Sequence, residues 1–353
     1  MNMKSLLVAA TAAASCMALS AEPTAGGAAA ETPRVRIVAT TFPIYDWTRE
    51  VLGEKLAEAD LVLLQRSGVD LHSYSPSAAD LRKIAACDLF VFVGGESDEW
   101  TERALAQKGS PRRRVLNLVK TLGSAAKEET VVEGMEHEHH HEHAEKHDHD
   151  GDHDHDHAKK HDHDEDDNHD EDHDEHEIDE HVWLSLRHAA TLVKAIAAEL
   201  AAVDPANAAT YSANAAAYCK RLAALDRDYV AAVKGAKRKT ILVADRFPFR
   251  YLADDYGLTY YAAFAGCSAE SEASFKTVAF LAKKVDELNL PVILVIEGVQ
   301  HKIAETVRRT AKAGTQRILA LDSLQSTGGE AAKTTRYLDV MTKNLQVLKA
   351  ALD

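Results

Sequence analysis

The fold is constrained most strongly by an alanine-rich stretch at residues 205–236. Apolar residues three or four positions apart lie on one face of a helix. The stretch contains no glycine before Gly235, and its apolar residues recur at this spacing: Tyr211, Ala215, Tyr218, Leu222, Leu225, Tyr229 and Val233. The pattern predicts one long helix, which would join the segments on either side of it as a stiff rod.

On both sides of this helix, short apolar or β-branched runs alternate with longer amphipathic runs. Such alternation is typical of strands joined by helices in a parallel sheet. Before the helix we expect strands at residues 35–39, 59–64 and 88–93. After it we expect strands at 240–244, 259–263, 292–296 and 317–321, and helices at 274–288, 301–313 and 334–352.

The sequence therefore predicts an α/β protein of two lobes, each with a central parallel sheet. The first lobe comprises residues 34–204, the rigid helix residues 205–236, and the second lobe residues 237–353. Ligands of such sheets bind beyond the carboxyl ends of the strands. We expect a binding cleft where these ends face each other between the lobes.

An insertion at residues 136–180 of the first lobe alternates histidines with aspartates and glutamates. It has 22 acidic residues against three lysines, so the rest of the chain, whose total charge is −15, carries about +4. With almost no apolar side chains the tract cannot form a core, and we expect it to be disordered. Imidazoles beside carboxylates are ligands for zinc, nickel, copper or manganese. The tract thus indicates metal handling, while a merely solvated acidic linker is the alternative.

Residues 1–21 have the pattern of an export signal, in which Lys4 precedes an apolar run at residues 6–14. The run is too short for a membrane-spanning helix. Cleavage after Ser20 or Ala21 predicts a soluble exported protein, followed by a flexible linker at residues 22–33. A weak lipoprotein box at residues 13–16 offers the alternative of a lipid on Cys16.

The remaining cysteines are Cys87, Cys219 and Cys267, whose spacing is not that of a metal site. We therefore do not expect them to bind the metal. A disulfide between Cys219 and Cys267 is an open alternative in an oxidising compartment. The near-neutral remainder of the chain has no basic stripe suited to nucleic acid.

Candidate metal ligands lie in the loops that follow the predicted strands. His72 follows the strand at 59–64, and His181 ends the acidic tract immediately before Trp183, where ordered structure should resume. Asp322 follows the strand at 317–321, as Asp245 and Glu297 follow two others. As alternatives, His72 could be a structural loop histidine, His181 merely the last histidine of the tract, and Asp322 a turn cap.

For His188 and His301, which fall on predicted helices, we favour structural roles. Neither is expected to bind the metal.

Four segments resemble the substrate-binding proteins of zinc and manganese ABC importers, in particular the ZnuA-like zinc-uptake branch. They are residues 68–81 (GVDLHSYSPSAADL), 179–185 (DEHVWLS), 319–323 (LALDS) and 337–348 (YLDVMTKNLQVL). The resemblance covers nearly the whole chain after the signal. It implies two α/β lobes bridged by one helix, with a metal ion in the cleft bound by His72, His181 and Asp322.

At the family's third ligand position this chain has Arg246, which is always protonated and has no lone pair to donate. Water could complete a site of two histidines and Asp322, the hypothesis we favour. Alternatively, Asp245, Glu270 or Glu272 could replace the lost ligand, or the metal preference could differ. Arg246 itself could pair with Glu297 or with a freed acid.

The resemblance implies a non-enzymatic, monomeric receptor outside the cytoplasm, periplasmic or surface-exposed. It would capture Zn²⁺, or alternatively Mn²⁺, and deliver it to a membrane permease, with the histidine-rich tract as an accessory collector. A metal buffer or chaperone without a permease is the alternative function. A zinc hydrolase is disfavoured because no HExxH-type motif is present outside the histidine-rich tract. An adhesin role, known among relatives of this family, has no signal in these residues.

Overall fold

The computed structural model describes residues 34–135, 177–268, 272–298 and 301–353. The predicted signal, the linker, Cys16, most of the histidine-rich tract and Glu270 lie outside the described residues. Residues 34–353 form one compact unit. No helix in the described ranges combines the length and apolarity that would be needed to span a membrane.

The first lobe contains a four-stranded parallel sheet among its described residues, in the order β2-β1-β3-β4. Its strands are β1 (Val35–Ala39), β2 (Ala59–Leu63), β3 (Leu89–Phe92) and β4 (Arg114–Asn117). Its helices are α1 (Phe42–Leu52), α2 (Ala78–Ala86), α3 (Trp100–Ala106), α4 (Leu118–Leu122) and α5 (Leu186–Val203). The capping box expected at the start of α2 is present, since Ser77 and Asp80 each accept a hydrogen bond from the other's backbone N–H.

The long helix is present as α6 (Ala208–Gly235), which follows a short 3-10 turn at Pro205–Asn207. The apolar face predicted from the sequence is the face that the helix buries. It packs along α5 and also touches α1. One face of the helix is therefore part of the core along its length, and this packing stabilises the helix more than helix propensity alone.

The second lobe repeats the arrangement with a parallel sheet in the order β6-β5-β7-β8. Its described strands are β5 (Thr240–Phe247), β6 (Thr259–Ala265), β7 (Val292–Val295) and β8 (Arg317–Ala320). Its described helices are α7 (Arg250–Tyr256), α8 (Phe275–Glu287), α9 (Lys302–Thr310), α10 (Gly329–Thr334) and α11 (Tyr337–Leu352). The predicted two-lobe α/β fold is confirmed.

Three local differences from the expectations affect the site. Strand β5 extends to Phe247 with a register shift between Val243 and Arg246, so Asp245 lies at an irregularity inside the strand and not beyond its end. The terminal helix expected at 334–352 begins only at Tyr337, as α11, and the separate helix α10 ends at Thr334. Residues 177–180, expected to be disordered, are ordered, because Ile178 pairs with Glu128 in an antiparallel bridge.

Candidate metal centre

Two histidines from distant parts of the first lobe meet in the structure. His72 lies in a 3-10 turn at Leu71–Ser73 after β2, and His181 begins the 3-10 turn Val182–Leu184. Their Nε2 atoms are 3.3 Å apart. Two nitrogens bound to one tetrahedral zinc at 2.0–2.1 Å lie about 3.3 Å from each other. The pair is therefore spaced as two ligands of a single zinc ion.

In each of the two imidazole rings, Nδ1 makes a hydrogen bond that fixes the orientation of the ring. Nδ1 of His72 hydrogen-bonds with Oγ of Ser97 at 2.7 Å. Nδ1 of His181 donates to Oδ1 of Asp179 at 2.9 Å, and the same oxygen accepts the backbone N–H of His181. Partners of this kind fix the ring orientation of metal-binding histidines and leave Nε2 for the metal.

Burial and charge affect the two rings differently. Burial, with His181 and Arg246 nearby, lowers the pKa of His72 to about 3, so this ring is neutral at physiological pH. Burial of His181 opposes its protonation, but Asp179 outweighs burial and raises the pKa of His181 above its ordinary value. A metal ion therefore finds a free lone pair on His72, whereas at His181 it competes with a proton.

The loop after β3 positions Ser97 through a buried carboxylate. Oδ2 of Asp98 accepts the backbone N–H groups of Val93 and Gly94 at 2.9 and 3.0 Å. Its Oδ1 is buried and has no hydrogen-bond partner among the residues that the structure describes. Burial raises the pKa of Asp98 to about 6.

We expect Asp98→Asn to reduce the pH dependence of stability. Because the folded state of the parent binds this proton more tightly than the unfolded state, its contribution to stability is largest at low pH. The contribution is lost as pH rises through about 6, and the loss is on the order of 2–3 kcal/mol. Urea unfolding at about pH 4.5 and about pH 7.5 measures the difference. Equal pH dependence in parent and variant would contradict the assignment.

The second lobe contributes Gln325 and Cys267 to this centre. Oε1 of Gln325 lies 3.0 Å from Nε2 of His181. Among the residues described, the group of at least three potential ligands with all donor atoms within 4.8 Å comprises His72, His181 and Cys267. Cys267 therefore lies beside the two predicted histidine ligands, although its spacing in the sequence did not indicate a metal site.

Cys267 follows β6, and its backbone N–H donates to Oε1 of Glu129 at 2.7 Å. A side chain at Gly266 would come within 2.9 Å of the carbonyl oxygen of Phe247 and 3.3 Å of Cε1 of His181. Glycine is thus required for this close approach. Burial raises the pKa of the Cys267 thiol, as do the carboxylates of Glu129 and Asp179. The three described cysteines, Cys87, Cys219 and Cys267, are free thiols, so Cys219 and Cys267 are not bridged.

Asp322, the predicted carboxylate ligand, lies in the loop after β8 but is not in the group of three. Its Oδ1 accepts the backbone N–H of Leu324 at 2.8 Å. Burial, together with the nearby Glu297, raises the pKa of Asp322 to about 6. Glu297 is engaged by Ser323, whose N–H and Oγ–H both donate to it at 2.7 Å.

Of the alternative ligands, Asp245 and Glu272 are among the described residues, and neither belongs to the group. Asp245 accepts a hydrogen bond from the backbone N–H of Arg246, and Glu272 is exposed. His188 packs its ring against Tyr251, with centroids 5.1 Å apart. His301 immediately precedes α9 and does not lie on a helix.

Arg246 links the two lobes by pairing with an acid, which is Asp70 and not Glu297. Its Nη2 donates to Oδ2 of Asp70 at 2.7 Å, and the other oxygen of Asp70 accepts the backbone N–H of His72. Gln325 also donates to Oδ2 of Asp70, at 3.0 Å. Arginine at this position therefore holds the turn that carries His72.

Sequence reasoning found His72 and His181 but missed Ser97, Asp179, Gln325 and Cys267. The position of Asp179 two residues before His181 was a usable signal, because an aspartate so placed can reach the ring. No sequence pattern pointed to the other three, since each comes from a different loop.

Comparison with known proteins gives consistent matches over most of the chain. The family model for zinc-uptake complex component A, periplasmic (ZnuA), matches residues 37–351. The zinc-binding protein AdcA of Streptococcus pyogenes is 32% identical over 320 residues, which cover 91% of this chain and 56% of that protein. This chain thus spans about half the length of that relative.

Two further matches cover nearly the whole of both chains. The high-affinity zinc uptake system protein ZnuA of Bacillus subtilis is 30% identical over 329 residues, covering 93% of this chain and 91% of that protein. The crystal structure of the Zn(II)-bound ZnuA-like domain of Streptococcus pneumoniae AdcA has a TM-score of 0.65 and 27% identity, covering 91% of this chain and 99% of that domain.

Proposed function

Since the chain belongs to the ZnuA family of zinc-uptake complex components, we propose that it captures a zinc ion between its lobes and delivers it to a membrane permease. The observation that carries this proposal is the 3.3 Å separation of two Nε2 atoms, each in a ring anchored through Nδ1. No chemistry on the cargo is required, so the proposed protein is a receptor and not an enzyme.

The position of the pair between the lobes fits capture and release. His72 and His181 belong to the first lobe, while Gln325 and Arg246 approach them from the second. A metal held at such a junction is exposed when the lobes separate. The proposed site of action is outside the cytoplasm, either in a periplasm or at the cell surface, with a monomer as the working unit.

The ligands favour zinc among the common divalent ions. Two neutral imidazoles suit zinc, whereas manganese prefers carboxylates and water. Asp322 stays a proposed additional ligand, which would need to turn from the Leu324 N–H toward the histidines. A metal buffer without a permease is the second candidate function, but a buffer does not need two lobes with a shared binding cleft.

We propose that the histidine-rich tract is an accessory collector of metal with lower affinity. Residues 177–180 are ordered, so the informative deletion removes residues 136–176 and spares Asp179 and Glu180. This deletion is expected to abolish several weak zinc sites and to leave one tight site, because the anchored pair lies outside it. Titration calorimetry of both proteins with zinc measures the number of sites. Loss of the tight site with the weak sites retained would contradict the assignment of the weak sites to the tract and of the tight site to the histidine pair.

A further inference from the structure

We propose that Cys267 is a third ligand of the captured zinc ion, in place of the residue that Arg246 has displaced. This inference rests on the proposed capture of zinc at His72 and His181, and it specifies how that site is completed. The ligand set would be two imidazole nitrogens and one thiolate sulfur, with a fourth position for Asp322, Gln325 or water.

The distances suit this set. With Zn–S near 2.3 Å and Zn–N near 2.0–2.1 Å, a tetrahedral ion separates sulfur from nitrogen by about 3.6 Å. The donor atoms of His72, His181 and Cys267 all lie within 4.8 Å of one another. A side-chain movement of roughly 1 Å therefore brings the thiol to bonding distance.

The backbone around Cys267 holds it in place for this contact. Its N–H is fixed by Glu129, and Gly266 lets the chain pass beside the ring of His181 without a side chain in between. Cys267 thus lies against a pair of histidines whose orientations are already set by Ser97 and Asp179.

A second observation at the same centre also indicates a cation. The side chain of Glu180 is only 2% exposed, and its Oε2 lies 3.9 Å from Nδ1 of His72. Within the described part of the chain, this oxygen has no hydrogen-bond partner. A buried carboxylate oxygen without a partner is costly unless positive charge is placed near it. A divalent ion between the histidines supplies that charge.

Two nearby carboxylates have partners of their own. Asp70 pairs with Arg246, and Asp322 accepts the N–H of Leu324. Binding through Cys267 breaks the S–H bond, releases the proton to solvent and forms the Zn–S bond without a change of oxidation state. A thiolate also strengthens discrimination against manganese, which favours oxygen ligands.

The test uses Cd²⁺ as a zinc analogue, because Cd²⁺ bound to thiolate absorbs strongly in the ultraviolet. Residues 136–176 contain no cysteine, so binding to the tract gives no such absorption. We expect the full chain to develop a thiolate–cadmium band that saturates at one equivalent. Cys267→Ser and Cys267→Ala should lose the band, and their zinc Kd should rise at least about 10-fold.

Cys219→Ser is the matched control, since Cys219 is a half-buried free thiol on α6 that donates to the carbonyl of Ala190. It should keep both the band and the affinity. As a direct readout, zinc should protect Cys267 from alkylation by iodoacetamide, as identified by mass spectrometry. Circular dichroism establishes that each variant is folded.

The outcomes separate the two proposals. Tight zinc binding by the parent with no thiolate band and no protection of Cys267 would overturn this inference alone. Absence of any tight site in the parent would overturn the proposed function and this inference with it.

Discussion

His72→Ala is expected to eliminate the tight zinc site and to raise the Kd of the cleft by more than about 100-fold. Loss of a partner that merely orients a ligand costs 10–100-fold in affinity, and loss of the ligand itself costs more. His72 is the imidazole that burial and its cationic neighbours keep neutral, so its lone pair is available without loss of a proton. His181→Ala should have a comparable effect.

Competition with a chromophoric zinc chelator measures this effect, in the full chain and in the chain without residues 136–176. The deletion prevents weak sites from masking the loss. His188→Ala is the control, because His188 is partly buried and contacts Tyr251 outside the group of three ligands. Retention of parental affinity by His72→Ala, or equal losses in the control, would contradict the assignment of the site.

Arg49→Met is expected to lower the free energy of unfolding by about 3–5 kcal/mol, since it leaves a buried carboxylate without its cation. Arg49, on α1, pairs with Asp46 and donates to the carbonyl oxygens of Ala332, Lys333 and Thr335 at the junction of α10 and α11. The side chains of Arg49 and Asp46 are 9% and 1% exposed. Urea unfolding of the metal-free protein measures the change.

The control removes an exposed ion pair that connects α1 to another helix. Arg221 of α6 pairs with Glu50 at 2.9 Å, but its side chain is 55% exposed. Solvent screens such a pair, and Arg221→Met should cost less than about 1 kcal/mol. A similar loss of unfolding free energy in both variants would show that the buried Arg49–Asp46 pair contributes no more to stability than an exposed pair.

The predictability of the fold and of the site differed for a physical reason. The sequence predicted four elements within one residue at each end: strands β1, β7 and β8 and helix α8. This was possible because the spacing of apolar residues indicates which side chains are buried in the core. Strand β4 was missed, since two of its four residues are exposed and its pattern is weak. The bulge in β5, which moves Asp245 away from the strand end, depends on pairing with β6 and β7.

The sequence by itself determined the two lobes, the long helix, the family and the two histidines, because each leaves a local pattern in the chain. Only the tertiary structure decided that Arg246 pairs with Asp70 and that Cys267 lies beside His72 and His181. These contacts join residues far apart in sequence, and their geometry depends on how the two sheets present their loops to one another. Side-chain type shows what a residue can bind, whereas packing decides which residues meet.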